Sequence, residues 1–199
     1  MARDTPRNSD PPRSSEAPRS SWSAPLAVLV ASAIFGYLAL PFLSRHVSPS
    51  GKLLGSQAPD FSLPVIHGGI GSGDSASRIA LHALAGNVVV LDFWASWCKP
   101  CVAQSRILSE LAPKHAADKV MFVGINTADN LERAEAFAKS HDLPYPSVFD
   151  GGDVADAYGA QSLPTLVIID PTGHVADVNV GVLGASDLEA AIAAASSRQ

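Results

Sequence analysis

Short apolar runs alternate with amphipathic segments along the second half of the chain. Apolar runs of strand length cover residues 88–94, 120–125, 145–149, 166–170 and 175–180. Segments with helical spacing and composition lie at 99–112, 131–140, 152–159 and 186–196, the last opening with Ser186 as a predicted N-cap and Glu189 after it. This order of elements predicts an α/β domain, with a central mixed β-sheet covered by helices on both faces.

The longest uncharged apolar stretch lies near the N-terminus, at residues 25–43. Its length approaches the roughly 20 residues that a helix needs to cross a bilayer. A cleaved signal peptide has a shorter apolar region and a small-residue cleavage site, and no clear A-x-A motif follows this stretch. The pattern therefore predicts a transmembrane helix, with a cleaved signal peptide and a buried core helix as the alternatives.

Composition divides the rest of the chain into a tail, a tether and a folded domain. Residues 1–24 hold four Pro, six Ser and four Arg with little apolar material, which predicts a disordered tail. Ser, Pro and Gly are frequent in residues 44–52, which predicts a tether. The folded domain is expected to cover residues 53–199.

Charge is distributed unevenly between these parts. Residues 1–52 carry six Lys and Arg against three Asp and Glu, whereas residues 53–199 carry eight against sixteen. The acidic main body argues against nucleic acid as a partner, because phosphate binding requires a basic surface. Arginines at positions 3, 7, 13 and 19 precede the apolar stretch, and Arg45 and Lys52 follow it. Positive residues favour the cytoplasmic side, so the N-terminus is predicted to be cytoplasmic and the domain extracytoplasmic.

The two cysteines of the chain, Cys98 and Cys101, lie where the apolar run 88–94 gives way to a helix. A cysteine at a helix N-terminus faces unpaired N–H groups and the positive end of the helix dipole, which lower its thiol pKa. Cys98 is therefore predicted to attack a disulfide, and Cys101, deeper in the helix and more buried, to resolve the mixed disulfide. Lys99 adds a charge that favours the thiolate, and Pro100 stiffens the first helical turn.

A metal centre is the alternative use of two nearby cysteines. Zinc takes four ligands, and the chain has no second C-x-x-C motif and no close histidine pair, since its six histidines are scattered. We therefore expect neither a metal nor another cofactor. Copper binding by Cys98, Cys101 and a histidine stays open as an alternative.

Several motifs together resemble the thioredoxin superfamily, and within it the membrane-anchored TlpA/ResA-type thiol:disulfide oxidoreductases. The resemblance covers residues 53–199 and rests on five segments: GSQAPDF (55–61), LHALAG (81–86), VVVLDFWASWCKPC (88–101), SLPT (162–165) and VIIDPTG (167–173). GSQAPDF also occurs in peroxiredoxins, but the P-x-x-x-[ST]-x-x-C setting of a peroxidatic cysteine is absent. The resemblance implies a thioredoxin-like fold.

The resemblance also implies where client proteins bind. Pro164 corresponds to the cis proline opposite the cysteine pair, and Leu163 before it would offer backbone groups to an extended client peptide. Trp97 is expected to be exposed beside Cys98, whereas Trp94 is expected to lie mostly in the core. The predicted substrate-binding residues are thus Trp97, Lys99, Pro100, Leu163 and Pro164.

Asp92 and Gln104 separate this chain from some of its relatives. Asp92 occupies the position of the buried acid that thioredoxins keep beneath the resolving cysteine. A carboxylate in an apolar strand should have a raised pKa and could accept the Cys101 proton, or it could be a structural residue that bonds backbone groups. ResA-type reductases carry Glu three residues after the second cysteine, where this chain has Gln104, so Asp92 is the candidate for that role.

The resemblance implies a reductant of protein disulfides that acts in cytochrome c maturation or copper-centre assembly. A membrane electron donor would reduce it again, and a single helix would hold it in a bacterial inner membrane with the domain in the periplasm. A DsbA-like oxidant and a non-enzymatic copper chaperone are the alternatives, because no residue pattern encodes the direction of electron flow.

Overall fold

A seven-stranded mixed sheet organises the residues that this computed structural model describes, 53–68 and 78–198. In chain order the strands are β1 (Ser62–His67), β2 (Arg78–Ala80), β3 (Val88–Trp94), β4 (Val120–Asn126), β5 (Ser147–Phe149), β6 (Thr165–Ile169) and β7 (Val175–Val180). They lie in the order β2-β1-β5-β4-β3-β6-β7. The β3–β4 and β4–β5 pairs are parallel and the other pairs are antiparallel, so the predicted mixed sheet is confirmed.

Helices cover both faces of the sheet, as the order of elements predicted. They are α1 (Lys99–Leu111), α2 (Leu131–Ser140), α3 (Asp153–Ala157) and α4 (Ala185–Ser196), with a 3-10 turn at Leu81–Leu84. Every residue of the central strand β3 is buried, so its alternate side chains serve two cores. One core lies under α1, α2 and α4, and the other lies under α3 and the 3-10 turn.

Two details of the predicted elements are wrong or incomplete. The last helix begins at Ala185 with Gly184 as its N-cap and no side-chain cap, so Ser186 is not the cap that its spacing to Glu189 suggested. Strands β1 and β2 were not predicted, because β1 contains Pro64 and β2 has only three residues.

The predicted tail 1–24, transmembrane helix 25–43 and tether 44–52 lie outside the described residues. Among the helices of residues 53–68 and 78–198, none has the length and apolar composition needed to cross a membrane.

Candidate active site

The cysteine pair lies at the N-terminus of α1, directly after the central strand. Cys98 is the N-cap residue, and its Sγ accepts a hydrogen bond from the Cys101 backbone N–H at 3.2 Å. The two residues form a disulfide with their Cα atoms 5.3 Å apart. The predicted position of Cys98 at the helix N-terminus is therefore confirmed. When the pair is reduced, the helix dipole and this N–H favour a thiolate on Cys98.

Burial does not separate the two sulfur-bearing residues in this oxidised form. Cys98 is 3% exposed and Cys101 is 2% exposed, so the expected deeper burial of Cys101 is not observed. The two residues differ instead in their place in the helix, because Cys98 is the N-cap and Cys101 lies within the first turn of α1.

Asp129, in the loop after β4, holds the loop that precedes Cys98. Its carboxylate accepts hydrogen bonds from the Ser96 backbone N–H and from the Ser96 hydroxyl, the latter at 2.9 Å. It accepts another from Asn126 Nδ2 at 3.0 Å. Although burial opposes ionisation, the hydrogen bonds from Asn126 and Ser96 hold the pKa of Asp129 below its usual value. The carboxylate thus ties residues 95–97 to the end of β4.

Asp129 was not among the predicted site residues. One signal could have found it, since it follows the parallel strand β4 just as the Cys98 loop follows β3. The carboxyl ends of adjacent parallel strands lie at the same edge of a sheet, where functional loops gather.

The two tryptophans before the cysteines have different environments, as predicted. Trp97 is 60% exposed, and its Nε1–H donates to the Ala128 carbonyl at 2.9 Å. Ala128 adopts a left-handed backbone conformation (φ 51°), so the loop after β4 turns at the residue whose carbonyl accepts this bond. Trp94 is 2% exposed and packs against Phe137 with ring centroids 4.9 Å apart.

A groove of about 580 Å³ lies between Trp97, the residue before Cys98, and helix α3. The structure brings Trp97 and Leu163 together on its wall. The Leu163–Pro164 peptide bond is cis, as the resemblance implied, and Pro164 is buried. Lys99 and Pro100 are exposed at the start of α1 but do not line the groove.

Asp92 is buried on the sheet face that α1 covers. Its side chain lies between those of Val90 and Trp94 on that face, the face whose core includes Cys101. The residue is 2% exposed, and burial raises the pKa of its carboxyl to about 7, an effect that the Tyr145 hydroxyl partly opposes. The predicted raised pKa is therefore present. Asp92 Oδ1 has no hydrogen-bond partner of standard geometry among the described residues.

Gln104, three residues after Cys101, has a structural contact. Its side chain is fully buried, and its Oε1 accepts a hydrogen bond from the Leu183 backbone N–H at 2.8 Å. Gln104 therefore connects α1 to the segment that precedes α4. An amide does not titrate, so it cannot exchange a proton with the cysteines.

Metal-binding residues do not gather near the cysteines. In residues 53–68 and 78–198, no group of three or more His, Cys, Asp or Glu side chains is arranged to hold a metal ion.

The chain is similar to proteins of a known family. Residues 54–178 match the AhpC/TSA family. The chain is 36% identical over 138 residues to the thioredoxin-like protein YneN of Bacillus subtilis, covering 68% of this chain and 76% of YneN. It is 33% identical over 163 residues to the thiol-disulfide oxidoreductase ResA of Geobacillus thermodenitrificans, covering 81% of this chain and 88% of ResA.

A solved structure shows the same fold. The crystal structure of a thiol:disulfide interchange protein of the DsbE type from Chlorobium tepidum superposes with a TM-score of 0.63 at 32% identity. The superposition covers 71% of this chain and 96% of that one.

Proposed function

Because the chain belongs to the AhpC/TSA family of thioredoxin-like proteins and is a thiol:disulfide oxidoreductase acting on protein disulfides, we propose that it is a reductant, with Cys98 as nucleophile. The observation that carries this proposal is the Cys98–Cys101 disulfide at the N-terminus of α1. A pair that closes only this short loop does little to stabilise a fold, so its use is chemical.

The reaction is a two-step exchange. The Cys98 thiolate attacks one sulfur of a client disulfide, forms a mixed disulfide and releases the other client sulfur as a thiolate. Cys101 then loses its proton and attacks Cys98 Sγ, which releases the second client sulfur. The client gains two electrons and two protons, and the chain is left with the Cys98–Cys101 disulfide seen here.

Asp92 accepts the proton of Cys101 in the second step. Its burial on the same sheet face as Cys101 and a carboxyl pKa of about 7 support this role. Near neutral pH a group with that pKa is partly ionised, so it can take up a proton and release it again. No other acidic residue of the described chain belongs to this buried face.

Client binding involves the groove that Trp97 and Leu163 line. The exposed Trp97 ring and the half-buried Leu163 supply an apolar wall, and the Leu163 backbone pairs with an extended client segment. Pro164 fixes the course of the backbone at Leu163. Lys99 and Pro100 contact the client from the start of α1.

Residues 25–43 anchor the protein in a bacterial inner membrane as a single span. Residues 1–24 then form a cytoplasmic tail, residues 44–52 a tether, and residues 53–199 a periplasmic domain. In an oxidising compartment a dedicated reductant needs its own source of electrons, and a membrane protein that carries electrons across the bilayer supplies them. The resemblance to TlpA/ResA-type proteins supports clients in cytochrome c maturation or copper-centre assembly.

The reduction potential of the Cys98–Cys101 pair tests the direction of electron flow. Equilibration with glutathione buffers should give a value near that of thioredoxin, about −270 mV, rather than that of DsbA, about −120 mV. A value near the latter would make the protein an oxidant. Stoichiometric Cu(I) binding by the reduced protein, combined with no reduction of insulin, would make it a copper chaperone instead.

A further inference from the structure

Three neighbouring strands place Asp92, Gly124 and Ser147 side by side. Asp92 of β3 pairs with Gly124 of β4, and Gly124 pairs with Ser147 of β5. Directly paired residues project from the same face of a sheet, so the missing side chain of Gly124 leaves a gap between the other two. A Cβ atom at Gly124 would lie 2.5 Å from Ser147 Oγ and 2.9 Å from Trp94 Nε1. These two polar atoms therefore reach into the gap.

Trp94 Nε1 and Ser147 Oγ border this gap, and Asp92 and Tyr145 belong to the same buried face. Four buried atoms of these residues have no hydrogen-bond partner of standard geometry within the described residues: Asp92 Oδ1, Trp94 Nε1, Tyr145 Oη and Ser147 Oγ. Tyr145 precedes Ser147 by two residues, and its hydroxyl is close enough to Asp92 for each group to shift the pKa of the other. Buried polar atoms in proteins are nearly always paired, so four such atoms at one place need an explanation.

The hydrogen-bonding character of the four groups explains why they lie together. The Trp94 N–H and the hydroxyls of Tyr145 and Ser147 are hydrogen-bond donors, whereas the Asp92 carboxylate is an acceptor. We infer that Tyr145 and Ser147 are positioning residues that set the ionisation of Asp92 by directing hydroxyl donors at its carboxylate across the gap at Gly124. The consequence of this ionisation for disulfide exchange rests on the proposed role of Asp92.

Several titratable side chains lie on this face or contact its core. His67 of β1 bonds to the Leu143 carbonyl at 2.9 Å, and the His115 ring lies 6.3 Å from that of Phe122. From α1 the groups on this face are Cys98 and Cys101, and from β6 the partner of Asp92 is Leu166. Helices α2 and α4 contribute apolar residues such as Phe137 and Leu188 to this core, and His141 at the end of α2 stacks on Phe137 with ring centroids 3.9 Å apart.

Burial and the Tyr145 hydroxyl shift the pKa of Asp92 in opposite directions. Burial raises the pKa of the Asp92 carboxyl, the Tyr145 hydroxyl lowers it, and the balance of the two is a pKa of about 7. Without that hydroxyl the carboxyl would keep its proton at neutral pH. It could then not take the proton from Cys101 Sγ, so less Cys101 thiolate would attack Cys98 and release the client sulfur.

The test replaces Tyr145 by Phe in the reduced full-length protein. Carbon-13 NMR of labelled aspartate, assigned with Asp92→Asn, gives the titration midpoint of Asp92. Loss of one hydrogen bond to a charged group should raise this midpoint by about one pH unit. The rate of mixed-disulfide resolution should reach its half-maximum at a pH higher by the same amount. Ser147→Ala should move both midpoints in the same direction.

Tyr158→Phe is the matched control. Tyr158 is a buried tyrosine of the opposite core, where its hydroxyl donates to the Pro59 carbonyl at 2.7 Å, so its removal should leave the Asp92 midpoint unchanged. An unchanged midpoint in both Tyr145→Phe and Ser147→Ala would overturn the inference. If Tyr145→Phe does not fold, the Asp92 midpoint in Ser147→Ala alone tests the inference, and an unchanged midpoint there overturns it.

The two readouts separate this inference from the proposed function. If the Asp92 midpoint rises but the pH dependence of resolution does not, Tyr145 and Ser147 do set the ionisation of Asp92. In that case the proposal that Asp92 accepts the Cys101 proton is the one that fails.

Discussion

The Asp129 carboxylate accepts hydrogen bonds from both the backbone N–H and the hydroxyl of Ser96, and thereby joins the loop after β4 to the loop that carries the reactive cysteine. The Trp97 ring, next along the chain, donates to the Ala128 carbonyl of the same β4 loop. The position of Cys98 thus depends on two loops that follow adjacent parallel strands. A disulfide exchange enzyme gains from this arrangement, because an attacking sulfur needs a fixed approach to its client.

Asp129→Asn should weaken this connection. An amide loses the charge-assisted bonds, so we expect a loss of about 1 kcal/mol in unfolding free energy at neutral pH, kept small by solvent exposure. The folded pKa of Asp129 lies below the usual 3.8, so its contribution is present above that value and is lost as pH falls through the folded pKa. Denaturant melts at pH 7 and pH 3 should show a larger deficit at pH 7 than at pH 3. Asp142→Asn, at an exposed position after α2, should leave the unfolding free energy unchanged at both pH values.

Cys98→Ser should abolish insulin reduction, whereas Cys101→Ser should accumulate mixed disulfides with clients. The reason is that only Cys98 lies at the helix N-terminus, where a thiolate is stabilised, while Cys101 completes the exchange. Non-reducing electrophoresis of membranes that contain each variant measures the trapped species. Faster alkylation of Cys101 than of Cys98 in the reduced protein would reverse the two roles.

Asp92→Asn should slow resolution of the mixed disulfide at neutral pH and affect the first attack by Cys98 less. The folded pKa of about 7 lies above the unfolded value near 3.8, so the parent loses stability as pH rises from about 4 to 7. The shift corresponds to about 4 kcal/mol, and the Asn variant should lack this loss. Single-turnover kinetics and denaturant melts across this range measure both effects.

Asp170→Asn is the comparison variant, because the pKa of Asp170 is lowered in the fold whereas that of Asp92 is raised. The Asp170 carboxylate accepts hydrogen bonds from the Thr172 hydroxyl and from the His174 and Thr172 backbone N–H groups. Although burial opposes ionisation, these bonds keep its pKa below the usual value. This variant should therefore lose stability at neutral pH. If Asp92→Asn left the resolution rate unchanged and reduced the stability, Asp92 would be a structural residue like Asp170 and not the proton acceptor.

Trp97→Ala should raise the KM for a protein client and leave the unfolding free energy within about 0.5 kcal/mol of the parent. The ring is 60% exposed beside the groove, so its removal costs contact area for a client but little core packing. Trp97→Phe keeps most of the apolar surface and should keep most of the affinity. An equal loss of stability in both variants would instead assign Trp97 to loop structure through its bond to Ala128.

Full-length protein should fractionate with membranes and resist carbonate extraction, because residues 25–43 form an uncharged apolar stretch. A chain that starts at Leu53 should be soluble and should reduce a model disulfide. Recovery of a chain shortened by about 40 residues from the soluble periplasmic fraction would favour a cleaved signal peptide.

The sequence by itself determined the order of the main elements and the place of the cysteines. Strand β3, helix α2 and strand β7 have the bounds that apolar runs and helical spacing predicted, because local periodicity is set by which side of an element faces the core. Cys98 and Cys101 were recognisable because their chemistry depends on near neighbours in the chain. The contrast between Trp97 and Trp94 was also predicted correctly.

The tertiary structure alone decided what lies next to these residues. The contact of Asp129 with Ser96 spans 33 positions, and the row of Asp92, Gly124 and Ser147 joins three strands through their register. Sequence periodicity does not specify which residues of different strands face each other, because register depends on how the whole sheet pairs and packs. For the same reason Tyr145 and Ser147 drew no attention in the sequence, although in the fold they share one buried face with Asp92.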